Sequence, residues 1–167
     1  MQRKGPSGSP PRWAEPMEDE IQEERWVNAQ RDAAIAYLQK ENIDHLGVGE
    51  WPAFHVSPYV AIWAVQSKAD PGSVGWWVIT GDCPSDYISG GGITNPREAM
   101  IEFSKNWKAY SLSMKDGRNP PNIEVGNDAN RRELGALLET RSEILEEWAS
   151  DTEIWRDILD DGELPNQ

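Results

Sequence analysis

Cationic residues, cysteine and long apolar runs are all scarce in this chain, and each scarcity removes a class of function. Only 16 Lys+Arg stand against 29 Asp+Glu in 167 residues, a formal net charge of −13. Autonomous binding to nucleic acid or to an anionic membrane surface needs a cationic face, so neither is expected. The single cysteine, Cys83, excludes an intrachain disulfide framework and a cysteine-based zinc centre. No run of about 18 apolar residues occurs, so no membrane-spanning helix is expected. Phe and Tyr number two and four, whereas Trp occurs nine times. Tryptophan is thus the main aromatic currency of the chain.

The organisation expected is a disordered leader (1–17), an α+β core domain (18–116) and an acidic helical arm (117–167). The leader, MQRKGPSGSPPRWAEP and the following Met, is broken by Pro, Gly and Ser. It is basic but has no apolar core or cleavage pattern, so it does not read as a secretory signal. Together with the single thiol, this points to the cytoplasm.

From Glu18 to about Asn42 no Gly or Pro interrupts, and Trp26, Ala29, Ala33, Ala36 and Tyr37 recur at helical spacing, widened by Val27, Ala34 and Leu38. Trp51 to Val56, with Pro52, reads as an edge strand. Tyr59–Ser67 and Gly75–Gly81 read as an antiparallel hairpin around the Asp70-Pro71-Gly72 turn. The fold class expected is therefore α+β: an N-terminal helix, a three-stranded antiparallel sheet, then a helix and a C-terminal helical arm.

The alternation within these strands carries a second message. Ala61, Trp63 and Val65 share one face, and Val60, Ile62 and Ala64 share the other. Trp76 and Val78 likewise oppose Trp77 and Ile79. Both faces are apolar, so both must be covered. A helix beginning at Asn95-Pro96, with Ala99, Met100, Phe103, Trp107 and Tyr110 on one stripe, supplies one cover. The arm, with Leu134, Leu137, Leu138, Arg141, Ile144, Leu145 and Trp148 in an amphipathic repeat, is expected to supply another. A second copy of the chain is the alternative cover, which makes a homodimer possible. Residues 122–167 hold 13 Asp+Glu and 4 Lys+Arg, a net of −9, so most of the acidity lies on this arm. Its acids are solvated there, or they dock a basic protein partner.

Chemistry is sought in Gly81–Ile88, GDCPSDYI, and the SGGG that follows. No Walker pattern or spaced dinucleotide glycines are present. Asp82 and Asp86 lack the regular spacing of a calcium loop, so no metal and no cofactor is expected. Cys83 with His45 or His55 has neither an identifiable oxyanion donor nor an orienting acid, so no catalytic residue is assigned. The candidate ligand-binding residues are Trp77, Asp82, Ser85, Asp86 and Tyr87. Trp51, Trp76 and Trp77 are also the rings available for an aromatic cage.

Three segments together carry a family resemblance. Pro58, Tyr59, Ala61 and Trp63 form the first, Trp77 through Tyr87 (WVITGDCPSDY) the second, and Arg97, Glu98 and Ala99 the third. They resemble an uncharacterised bacterial family of the domain-of-unknown-function series, marked by a WVI(S/T)GDxPSDY segment between a strand and a helix. The likeness spans roughly residues 20–115, and Asn95-Pro96 departs from that family's helix start. It implies a bacterial intracellular domain and no activity. The function expected is a soluble, non-enzymatic, acidic protein-binding or regulatory module. The alternative is a small-molecule-binding domain or hydrolase built on Asp82–Tyr87.

Overall fold

The computed structural model describes residues 14–116, 118 and 128–159, with side chains in the first and third helices described from residues 19 and 130. The expected leader and the GRNPP break therefore fall largely outside the described residues. In order come α1 (Ala14–Lys40), β1 (Gly47–Val48), β2 (Phe54–Val56), β3 (Val60–Gln66), β4 (Val74–Gly81), β5 (Asp86–Ser89), α2 (Pro96–Lys115), α3 (Asp128–Ser150) and α4 (Thr152–Trp155).

All strands pair antiparallel in one five-stranded sheet, not three. β3 lies between β4 on one side and a split edge on the other, with β1 against Val65–Gln66 and β2 against Val60–Ile62. β5 closes the far edge beside β4, pairing Trp77 with Ile88 and Ile79 with Asp86. The two unforeseen strands are short, two and four residues. Gly47 in β1 and Pro84 just before β5 mask the strand pattern that their pairing with long neighbours imposes. The Asp82–Tyr87 segment is consequently loop up to Ser85 and strand from Asp86.

The expectation that both sheet faces are covered is met. On one face Ala61, Trp63, Val65 and Val78 pack with Val27, Ala34 and Leu38 of α1. On the other, Val60, Ile62, Trp77 and Ile79 pack with Ala99, Met100, Phe103 and Trp107 of α2 and with Leu145, Ala149 and Trp155. α3 rests on α2, where Gly135 would bring a Cβ to 3.0 Å from Met114 Cβ. The sheet thus needs no second copy to cover it. The α1 stripe differs from the sequence reading, because Ala29, Ala33 and Ala36 are exposed. Val27, Ala34 and Leu38 repeat at seven and four residues, and the larger Val and Leu bury more apolar area than an alanine row can.

The ends of the helices follow local chemistry. α1 stops where Asn42 enters the left-handed region (φ 58°) and Ile43 N–H donates to the Leu38 carbonyl at 3.0 Å. α2 starts as read, with Pro96 in its first turn and Asn95 Oδ1 accepting from the Glu98 N–H at 2.9 Å. Asp151 caps α4 by accepting from the Glu153 N–H at 3.0 Å. Buried indoles also have partners: Trp63 Nε1 donates to Thr80 Oγ1 at 3.1 Å and Trp155 Nε1 to the Trp148 carbonyl at 3.0 Å.

Candidate functional site

The ends of β3 and β4, the turn after β4, and the α2–α3 pair meet around a groove of about 340 Å³. Tyr59, Val60, Trp107, Ile144, Leu145 and Trp148 supply its apolar walls, and Asp82, Cys83, Arg141 and Glu147 its polar groups. The local backbone sets this up. Gly81 ends β4 at φ 134°, where a Cβ would collide with the Tyr59 carbonyl oxygen, so the chain turns tightly past Tyr59. That close approach lets the Asp82 N–H donate to the Tyr59 carbonyl at 2.8 Å.

Arg141 of α3 reaches across to the same turn. Its Nε donates to the Asp82 carbonyl at 2.8 Å, and Nη2 lies 3.3 Å from Asp82 Oδ2. The arginine side chain is 27 % exposed and the aspartate 69 %, so the guanidinium is the sheltered partner. Glu147 is exposed and makes no ion pair among the described residues, unlike Glu146, which meets Lys108 at 3.1 Å. Burial pushes the Cys83 thiol up to about 12, with Arg141 partly opposing the shift. The thiol is therefore protonated at neutral pH. Neither histidine lines the groove, and His55 instead bonds Glu23 at 3.1 Å beside Trp26 and Trp51.

The five candidate residues separate. Asp82 lies at the groove, and Ser85 is exposed between it and β5. Trp77 is buried on the α2 face with Nε1 donating to the Ile93 carbonyl at 3.3 Å. Tyr87 points to the opposite face, its ring 5.8 Å from that of Trp76 and 6.0 Å from that of Tyr37. Asp86 heads β5, and its carboxylate accepts from Trp107 Nε1 at 2.9 Å and from the Tyr87 N–H at 2.8 Å. Desolvation raises the Asp86 pKa, while these two hydrogen bonds oppose the rise. The same carboxylate contributes, after burial, to the upward shifts of Tyr37 and Tyr110.

The residues that make the groove are thus mostly ones the sequence placed in cores. Trp107 and Trp148 sat on amphipathic stripes, where an inward aromatic is ordinary packing. Arg141 left a readable signal: it is a charged residue at an apolar position of the α3 repeat. None of Trp51, Trp76 and Trp77, the rings available for an aromatic cage, is among the groove residues. Among the described residues there is no group of three or more His, Cys, Asp and Glu that could hold a metal ion. No helix among them is long and apolar enough to cross a membrane.

Fold and groove together define an α+β domain with a five-stranded sheet between one long helix and a helical pair. The chain belongs to the family described as Domain of unknown function (DUF4826), whose family model matches residues 20–155. That match extends through α3 into α4, beyond the stretch on which the sequence resemblance rests. No curated protein and no solved structure matches the chain.

Proposed function

We propose that this protein is a soluble, non-enzymatic module that binds a basic protein partner through the α3 face, with the groove at Trp148 as its anchor site. One observation carries the reading: an exposed aromatic side chain, Tyr59, and a carboxylate without an ion pair among the described residues, Glu147, line one groove between the sheet end and the acidic arm. Tyr59 is 54 % exposed, beside Asp82 and Glu147. Tryptophan and tyrosine are enriched among the residues that dominate binding energy at interfaces. Surplus negative charge around them steers and selects a cationic partner. The setting on this reading is the bacterial cytoplasm, as the sequence resemblance and the single thiol imply.

A hydrolase reading is weaker on chemical grounds. Cys83 holds its proton, and the Asp86 carboxylate is occupied by Trp107 and the Tyr87 amide. Small-molecule binding stays as the second reading, because about 340 Å³ falls within the size range of ligand pockets. Affinity capture from cell lysate at low and high salt tests the proposal, with Trp148→Leu and Glu147→Lys chains run in parallel. Salt-sensitive retention of a basic protein by the wild type and its loss from both variants is expected. Equal retention by all three chains contradicts it.

A further inference from the structure

We propose that the anchor received by this groove is a cationic side chain, an arginine or lysine flanked by an apolar residue in an extended or helical segment of the partner. The inference rests on the protein-binding reading and specifies its chemistry. Within the groove, Asp82 and Glu147 carry negative charge and Arg141 positive. The guanidinium is already committed to the Asp82 carbonyl and carboxylate, at 2.8 and 3.3 Å. Glu147 has no such partner among the described residues, and Glu143, one helical turn before it, is also exposed.

Three occupants can be compared against this arrangement. An anionic group would face two carboxylates and would have to displace Asp82 from Arg141. A wholly apolar anchor would shield carboxylates from water without replacing their solvation, which costs free energy. A cation meets an available carboxylate in Glu147, the repulsion from Arg141 is offset by that guanidinium's pairing to Asp82, and the aromatic rings of Tyr59 and Trp148 line the groove it enters. Its alkyl stem and apolar neighbour suit the Val60, Ile144 and Leu145 wall. The partner is therefore a protein segment combining positive charge with an aliphatic or aromatic residue.

The test is selection of a displayed random-peptide library on the full chain, followed by affinities for wild type, Trp148→Leu and Glu147→Gln. Trp148→Leu keeps an apolar side chain while removing the aromatic ring; because Trp148 is partly buried against the core, urea unfolding first checks that this chain stays folded, whereas Glu147 is exposed. Enriched peptides should carry Arg or Lys beside an apolar residue. Their affinity should fall about tenfold in Trp148→Leu, and by a smaller factor in Glu147→Gln that vanishes at high salt. Apolar peptides that need Trp148 but carry no cation would overturn this inference while leaving a protein-binding role for the groove standing, whereas acidic peptides that need Arg141 would overturn the basic-partner reading as well. Failure to enrich any sequence dependent on Trp148 would overturn both.

Discussion

Asp86 accepts two hydrogen bonds in a setting whose desolvation favours its neutral acid, so opposing effects meet at one carboxylate. Its folded-state pKa lies above the ordinary value, meaning that the native protein holds this proton more tightly than the unfolded chain does. The stabilisation from Asp86 protonation is full below the unfolded pKa and is lost as pH rises through the folded one. Against an Asp86→Asn reference, the wild type should therefore lose relative stability as pH rises from below the ordinary aspartate range to above it. Urea unfolding at a series of pH values measures this difference. Asp86→Ala leaves the Trp107 indole and the Tyr87 amide without their acceptor and should cost about 1–3 kcal/mol. Cys83 gives a second residue-scale prediction. With its thiol pushed up to about 12, alkylation by iodoacetamide at pH 8 should be far slower in the native protein than after denaturation. Similar rates in the two states would show that the thiol is not protected.

At the scale of elements, side chains occupy main-chain groups at both edges of the sheet. Arg31 of α1 donates to the Val48 and Gly49 carbonyls at 2.8 and 2.9 Å, occupying main-chain acceptors beside β1. At the opposite edge Asp86 takes the Tyr87 amide of β5. Short, capped edges discourage pairing with further strands. Arg31→Met keeps most of the aliphatic stem, so its expected loss of about 1–3 kcal/mol reports the two carbonyl bonds. Chemical denaturation checks the value, and light scattering checks for edge-to-edge association. The α2–α3 contact makes a separate prediction at Gly135. A Cβ there would lie 3.0 Å from Met114 Cβ and 3.3 Å from the Ser111 carbonyl. Gly135→Leu should overpack this contact and destabilise the fold by about 1–3 kcal/mol or more, again read by denaturation.

These elements also show which parts of the structure were legible. The Pro96 start was readable and the cap narrowed to Thr94 or Asn95, because capping is settled within four residues. The two-sided apolar alternation of Ala61–Val65 against Val60–Ala64 correctly demanded cover on both faces. β1 and β5 were not readable, since strands this short form through the neighbours they pair with. The α1 stripe was misplaced for a related reason: spacing permitted either the alanine row or Val27–Ala34–Leu38, and buried area decided between them. The groove was less legible still. Asp82 was recognised, but Trp107 converges on it from 25 residues further along the chain, and Arg141 and Trp148 from 59 and 66. Only the charge of Arg141 within an apolar repeat signalled that this helix face does more than pack.

For the whole molecule, the net charge of −13 and the groove belong to one account. The acidic arm does not simply cover the sheet, since α2 lies between much of α3 and the strands. Arg141, Ser142 and Ala149 fasten α3 back onto the rest of the fold. Ser104 Oγ donates to the Ser142 carbonyl at 2.9 Å, and Arg97 Nε to the Ala149 carbonyl at 2.9 Å. Of the α3 carboxylates, Glu147 lines the groove, and with Asp82 it outweighs the one guanidinium there. The central claim is that this face is the binding surface, and hydrogen exchange of the full chain with and without a selected basic peptide tests it most directly. The account predicts slower exchange in α3 around residues 141–148 and in the turn from Tyr59 through Asp82, diminished by salt. Protection confined to α1 and the β1–β2 edge, with α3 unchanged, would contradict it.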